Sequence, residues 1–166
     1  MAVADRLDEL LPADAYLAAS EQVDTSFFTP SLIVDAVFDL LRATGFTGGR
    51  VLEPGCGNGA FMQAAPADLD IAWTGVEVDP TASRMCRLLN PDAVIHEGKL
   101  QSTALAEDFD AVVGNVPFSH VRLWDGDARG DVLHNYFIRR SVAAVRPGGY
   151  VILVTSRHTM DSRTGL

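Results

Sequence analysis

Apolar residues fall along this chain in two alternating rhythms. Short runs compatible with buried strands occur at 50–53, 72–78, 93–96, 109–114 and 150–155. Between them lie stretches with helical spacing, at 31–41, 60–65, 80–89 and 134–145. In the first of these, Ile33, Ala36, Val37, Leu40 and Leu41 share one helix face. Thr29 is placed to cap that helix, with Pro30 in its first turn. A ligand role accounts for the same two residues equally well. Pro66 stops the short second helix, and Pro147-Gly148-Gly149 forms a turn before the last strand. Strands alternating with helices predict an α/β fold, a parallel, doubly wound sheet.

Open sheets of this kind bind ligands beyond the carboxyl ends of their strands. Three polar features fall there. The first strand runs into Glu53-Pro54-Gly55-Cys56-Gly57-Asn58-Gly59, where glycines at alternate positions let a ligand lie against bare backbone. Such a loop serves dinucleotides and methyl donors alike. The second strand ends at Glu77, 18 residues past Gly59 and suited to the two hydroxyls of a ribose. The fourth ends in Asn115-Val116-Pro117-Phe118, which a nicotinamide dehydrogenase leaves unexplained. The polar stretch 119–132, with Arg122 and Arg129, is either a mobile lid, poorly packed without substrate, or an ordinary surface loop.

Composition adds bounds. The 166 residues suffice for one domain with a real core, and 48% apolar content argues against disorder. No apolar run approaches the roughly 20 residues of a membrane span, and residues 1–10 have neither the basic end nor the apolar block of a secretion signal. Cys56 and Cys86 stand apart, with no metal-ligand spacing, so no metal is expected and the cytoplasm is the expected compartment. The net charge of −9 is uneven: residues 1–110 hold 18 acids and 6 bases, residues 111–166 hold 4 acids and 7 arginines. That asymmetry is either a basic edge on an acidic body or ordinary solvated surface. If the protein acts on nucleic acid, the contacting edge belongs to the last third or to a partner. Arg139 and Arg140 suit a solvated helix face better than a phosphate clamp.

Together, Val51-Leu52-Glu53-Pro54-Gly55-Cys56-Gly57, Gly75-Val76-Glu77-Val78-Asp79 and Asn115-Val116-Pro117-Phe118 resemble a class I S-adenosylmethionine-dependent methyltransferase of the N6-adenine DNA type. Phe28-Thr29-Pro30 resembles the cofactor motif that precedes the glycine loop in that family's gamma-type order. His134-Asn135-Tyr136-Phe137, Arg146-Pro147-Gly148-Gly149 and Thr155-Ser156-Arg157 resemble methylase domains of large phage- and plasmid-borne helicase–methylase proteins. The resemblance implies a Rossmann-like core over residues 25–166, a mainly parallel twisted sheet with helices on both faces; the Leu- and Ala-rich residues before it, broken by Pro12, read as a helical packing extension at 1–24.

It also implies roles. Phe28, Thr29, Pro30, Glu53, Pro54, Gly55, Cys56 and Gly57 would build the cofactor site, with Thr29 and the backbone around Glu53, Gly55 and Gly57 on the methionine part. Glu77 would take the ribose hydroxyls, Val78 would pack on the cofactor adenine, and Asn115 would border the same site. Asn115, Val116, Pro117 and Phe118 would form the catalytic motif: Asn115 and the Val116 carbonyl would accept hydrogen bonds from the target amino group, and Phe118 would stack on a flipped base. The implied partner is double-stranded DNA, reached through a recognition domain or another protein, and the implied product is S-adenosylhomocysteine.

The chain departs from the family pattern in three places. Val116 stands where a second proline is commoner, and Gly98-Lys99-Leu100 follows the third strand where an acid is frequent, leaving Glu97 or Asp92 as substitutes. Family cores continue into a sixth and seventh strand, but only about ten residues follow Thr155. The expectation is a piece of a larger protein, or a core whose open sheet edge a partner covers. Two other functions stay open: methylation of protein glutamine or another amine, and a catalytically weak cofactor-binding module.

Overall fold

The computed structural model describes residues 29–119 and 121–156; the expected extension at 1–24, Phe28 and Arg157 lie outside them. Helix α1 (Ser31–Ala43) leads into strand β1 (Gly48–Glu53), followed by α2 (Ala60–Gln63), β2 (Asp70–Glu77), α3 (Pro80–Leu89) and β3 (Val94–Glu97). A 3-10 turn (Leu100–Ser102), β4 (Phe109–Asn115), α4 (Leu133–Ala144) and β5 (Val145–Val154) complete it. All pairings are parallel, in the order β3-β2-β1-β4-β5. The strand order reverses between β1 and β4, and a crevice opens at that switch point.

Side chains alternate across a strand, so the sheet separates two cores. Val51, Ala111 and Val113 join Val34, Val37, Phe38 and Leu41 of α1 on one face. Leu52 and Val112 join Tyr136, Phe137 and Ala144 of α4 on the other. Burial on both faces explains why β1 and β4 read as continuous apolar runs rather than alternating ones.

Helix α1 turns a different face inward from the one expected. Val34, Val37, Phe38 and Leu41 are buried, whereas Ile33, Ala36 and Leu40 are exposed. Both sets satisfy helical spacing. The choice follows from Phe38, whose ring meets Phe61 at 6.3 Å and the edge of Trp73 at 6.5 Å. Nor does Thr29 cap the helix: Pro30 occupies the N-cap position, with no side-chain hydrogen bond.

The Pro147-Gly148-Gly149 turn belongs to β5. Phe109 pairs with Val145 and Ala111 with Tyr150, so residues 146–149 bulge opposite Asp110 alone. Asp110 anchors the bulge, accepting from Arg146 Nε at 2.7 Å and from the Arg50 backbone N–H at 2.8 Å.

The 119–132 stretch is better organised than a mobile lid. Arg122 and Val132 form an antiparallel bridge, and Leu123 exchanges backbone hydrogen bonds with Gly130 and Asp131. Ala128 is fully buried. The Tyr136 hydroxyl donates to Asp127 at 2.6 Å, pinning this small hairpin to α4. Tyr136→Phe should lower stability by about 1.5–3 kcal/mol, the worth of a hydrogen bond to a charged acceptor, read as a shift in the urea midpoint.

Candidate active site

The switch-point crevice is a cleft of about 610 Å³, within the range of small-molecule sites. Its floor is the loop after β1. The Cys56 N–H donates to the Val76 carbonyl at 3.0 Å and the Gly59 N–H to the Cys56 carbonyl at 2.7 Å, which curls the loop towards β2. Gly57 (φ 53°) and Gly59 (φ 84°) hold left-handed conformations. A Cβ on Gly59 would stand 2.4 Å from Asn90 and 2.8 Å from Cys86, so only glycine fits there. Beside Gly57 the space is open, leaving backbone accessible from the cleft.

Glu77 closes the far side. Its carboxylate accepts from the Gly57 N–H and the Asp79 N–H, each at 2.8 Å, tying the glycine loop to the start of α3. Asp79 caps α3 through Thr81 and Ala82. Burial raises the Glu77 carboxyl above its ordinary value, against the lowering effect of those two donors. Glu53 is buried more deeply. Desolvation first, then the nearby Cys86 and Glu77, push its carboxyl well above the usual carboxylate range. Its Oε2 is buried without a hydrogen-bond partner among the described residues. A cationic ligand bound beside Glu53 and Glu77 would offset the cost of ionising them.

The end of β4 supplies the third wall. Asn115, Val116 and Pro117 border the cleft, and Asn115 Oδ1 is a second buried acceptor without a partner among the described residues. Because residue 116 is not proline, its N–H donates to the Val154 carbonyl at 3.0 Å, extending the β4–β5 pairing into the motif. A backbone hydrogen bond thus anchors the turn where ring rigidity is lost.

The expected residues divide clearly. Thr29, Glu53, Pro54, Gly55, Cys56, Gly57, Glu77, Val78, Asn115, Val116 and Pro117 all line the cleft. Val78 sits at the rim, 55% exposed. Pro30 is not in the cleft wall, and Phe118 is half-buried against the Leu52–Tyr136 cluster. Neither substitute for the missing acid reaches the cleft; Glu97 instead pairs with Arg87 at 3.0 Å. Lys99, Gln101, Leu123 and Asp125 line it unannounced. Asp125 accepts from Lys99 Nζ at 2.8 Å and Gln101 Nε2 at 3.3 Å, and the Lys99 bond holds its carboxyl below the ordinary range. An acid does border the region after β3, but it comes from the hairpin after β4. The absence of an acid at 98–100 was the one available signal.

The family profile described as "Methyltransferase small domain" matches residues 34–164. This chain is a member of that methyltransferase family. The methyltransferase is 28% identical over 137 residues to the defense against restriction protein B of Escherichia phage P1, covering 78% of this chain and 6% of that protein. It is 31% identical over 153 residues to a type II methyltransferase of Thermus thermophilus, covering 76% of this chain and 33% of that one. The chain thus spans a third or less of these curated relatives. Among solved folds, a protein described as a class I S-adenosylmethionine-dependent methyltransferase of Listeria monocytogenes superposes with a TM-score of 0.66 at 21% identity, covering 80% of this chain and 47% of that one. A methyltransferase of Thiobacillus denitrificans bound to S-adenosylhomocysteine gives 0.56 at 19%, covering 86% and 55%.

S-adenosylmethionine is the cofactor of this family, and the cleft fits it. The Glu53 oxygen without a partner among the described residues, the Glu77 carboxylate and the open backbone at Gly57 suit a ligand carrying sulfonium and ammonium charges. When bound, the cofactor supplies an electrophilic methyl group. Among the described residues no cluster of side chains has the makings of a metal site, and no helix is long and apolar enough to cross a membrane.

The Glu53 shift has a testable sign. The folded protein keeps a proton here that the unfolded chain releases, so this site's contribution to stability falls as pH rises through the ordinary value of 4.5 towards the folded one. Glu53→Gln should stabilise the ligand-free protein, with a gain that is negligible near pH 4 and grows towards neutrality. Thermal unfolding of both proteins across that range reads the difference.

Proposed function

We propose that this domain transfers a methyl group from S-adenosylmethionine to the N6 amino group of adenine in DNA. The observation that carries the reading is Asn115 in the cleft wall, its buried Oδ1 without a partner among the described residues, at the head of Asn115-Val116-Pro117-Phe118. An exocyclic adenine amine is a poor nucleophile, because its lone pair is delocalised into the ring. Asn115 Oδ1 and the Val116 carbonyl are acceptors for its two hydrogens; accepting both favours a pyramidal nitrogen and stabilises the positive charge that develops there. The Val116–Val154 hydrogen bond holds that pair in place. Well-oriented reactants can gain roughly 7–11 kcal/mol from orientation, so the chemistry needs neither a nucleophilic side chain nor a strong base. The resemblance to the N6-adenine motif and the match to a type II methyltransferase support the DNA target.

Incubation with unmethylated DNA and S-adenosylmethionine, followed by nucleoside mass spectrometry, should reveal N6-methyladenine. A methyl mass gained only by a protein substrate would move the assignment to glutamine or another amine. Cofactor binding with no transfer to either would make the domain a binding module.

A further inference from the structure

We propose that the hairpin between β4 and α4 is the DNA-docking element of this domain, with Trp124 stacking on a base and Arg122 and Arg129 set against the phosphate backbone. The inference rests on the DNA reading above.

Trp124 is 75% exposed, although its sequence neighbours Leu123 and Asp125 both line the cleft, so the indole stands at the cleft's rim. One side of the indole lies by bare backbone: a Cβ added to Gly130 would stand 3.1 Å from the six-membered ring. The hairpin beneath is fastened to the body. Gly126 (φ 61°) approaches the Gln101 carbonyl so closely that a side chain could not be added, and Lys99 grips Asp125. An exposed aromatic on a fastened hairpin beside the cleft is a platform on which a displaced base can stack, whatever its identity.

The charges are sorted in the same sense. All three hairpin carboxylates are turned to partners in the body: Asp125 to Lys99, Asp127 to Tyr136 and Asp131 to Arg139. The arginines are not spent in this way. Arg122 donates to the Gly130 carbonyl, and among the described residues neither it nor Arg129 has a carboxylate partner. Arg129 is also held at φ 49°, a conformation costly for a residue with a side chain and concentrated at functional positions. By contrast Arg139, Arg140 and Arg146 are engaged by Asp131, Glu107 and Asp110. On a chain of net charge −9, this leaves a small cationic patch around one exposed indole. It is the kind of site at which an anionic polymer with planar bases can approach an acidic protein.

The test uses a fluorescein-labelled duplex of about 30 base pairs with unmethylated adenines, titrated in the presence of S-adenosylhomocysteine. A second copy sets one adenine opposite an abasic site, which lowers the cost of extruding it. Trp124→Ala should weaken binding about tenfold and Trp124→Phe hardly at all, with affinity for S-adenosylhomocysteine unchanged in both. The Arg122→Gln, Arg129→Gln double variant should lower the slope of log affinity against log salt by about two. Indole quenching by the duplex should persist in Trp73→Phe and vanish in Trp124→Ala. Wild-type affinity in Trp124→Ala, with DNA methylation intact, would overturn the docking inference alone. A wild-type protein that binds S-adenosylhomocysteine but no duplex would remove the DNA reading itself. Quenching by an acidic protein and not by the duplex would assign the patch to a protein partner and overturn the proposal.

Discussion

Glu77→Ala should weaken binding of S-adenosylhomocysteine by at least about 100-fold in calorimetry. The carboxylate has one task in the structure and, on the proposed reading, a second. It already accepts the Gly57 and Asp79 N–H groups, and so sets the position of the glycine loop against β2. Its remaining acceptor capacity is what a ribose diol requires. A hydrogen bond to a charged acceptor is worth roughly 1.5–3 kcal/mol, so losing two ribose contacts spans about 10²- to 10⁴-fold in affinity. Glu77→Gln keeps the volume but only one acceptor oxygen, and should fall between. The Ala variant also strands two backbone donors, so the titration belongs well below its unfolding temperature. A 2′-deoxyribose analogue of S-adenosylhomocysteine should lose less affinity on the Glu77→Ala change than the parent compound does. Equal losses would show that the residue acts only through the loop, and unchanged wild-type affinity would contradict both roles.

Asn115→Ala should reduce methyl transfer by about 10²- to 10³-fold while affinity for S-adenosylhomocysteine stays within about threefold. The magnitude follows from removing one preorganised group aimed at charge that develops in the transition state. Asn115 is placed for such a role: it lines the cleft, and its Oδ1 has no partner among the described residues. Single-turnover measurements at saturating cofactor separate the chemical step from binding. A parallel loss of cofactor affinity would place Asn115 in the cofactor site instead.

Much of this was legible in the residues. The alternation of short apolar runs with helical spacings names a doubly wound parallel sheet, because buried parallel strands have no solvent face to mark with polar residues. In such a sheet chain order and strand ends suffice to bring Glu53, Glu77 and Asn115 to one crevice. Those assignments needed no coordinates, since each lies where a strand stops.

Other features are not written in local pattern. Helix α1 carries apolar residues on more than one face, and the fit of Phe38 between Phe61 and Trp73 selects Val34, Val37, Phe38 and Leu41 over Ile33, Ala36 and Leu40. Thr29 serves a helix cap and a cleft wall equally well by sequence; the backbone path before α1 puts it in the wall. Proline rigidity at 116 gives way to a hydrogen bond with Val154, 38 residues along the chain and invisible without the β4–β5 register.

The hairpin shows the same limit most plainly. Its polar, glycine-rich composition suggests mobility, yet backbone pairing, the buried Ala128 and the Tyr136–Asp127 bond hold it against α4 and the 100–102 turn. An acid reaches the cleft opposite Lys99 only because that docking carries Asp125 across 26 residues of sequence. Residue order thus announces the sheet, the glycine loop, the acid that ends β2 and the Asn115–Phe118 motif that ends β4, because strand ends and tight turns depend on neighbouring residues. Which helix face is buried, which loop is braced and which carboxylate meets which cation depend on distant segments packing against one another. The energies of those contacts exist only once the chain has folded.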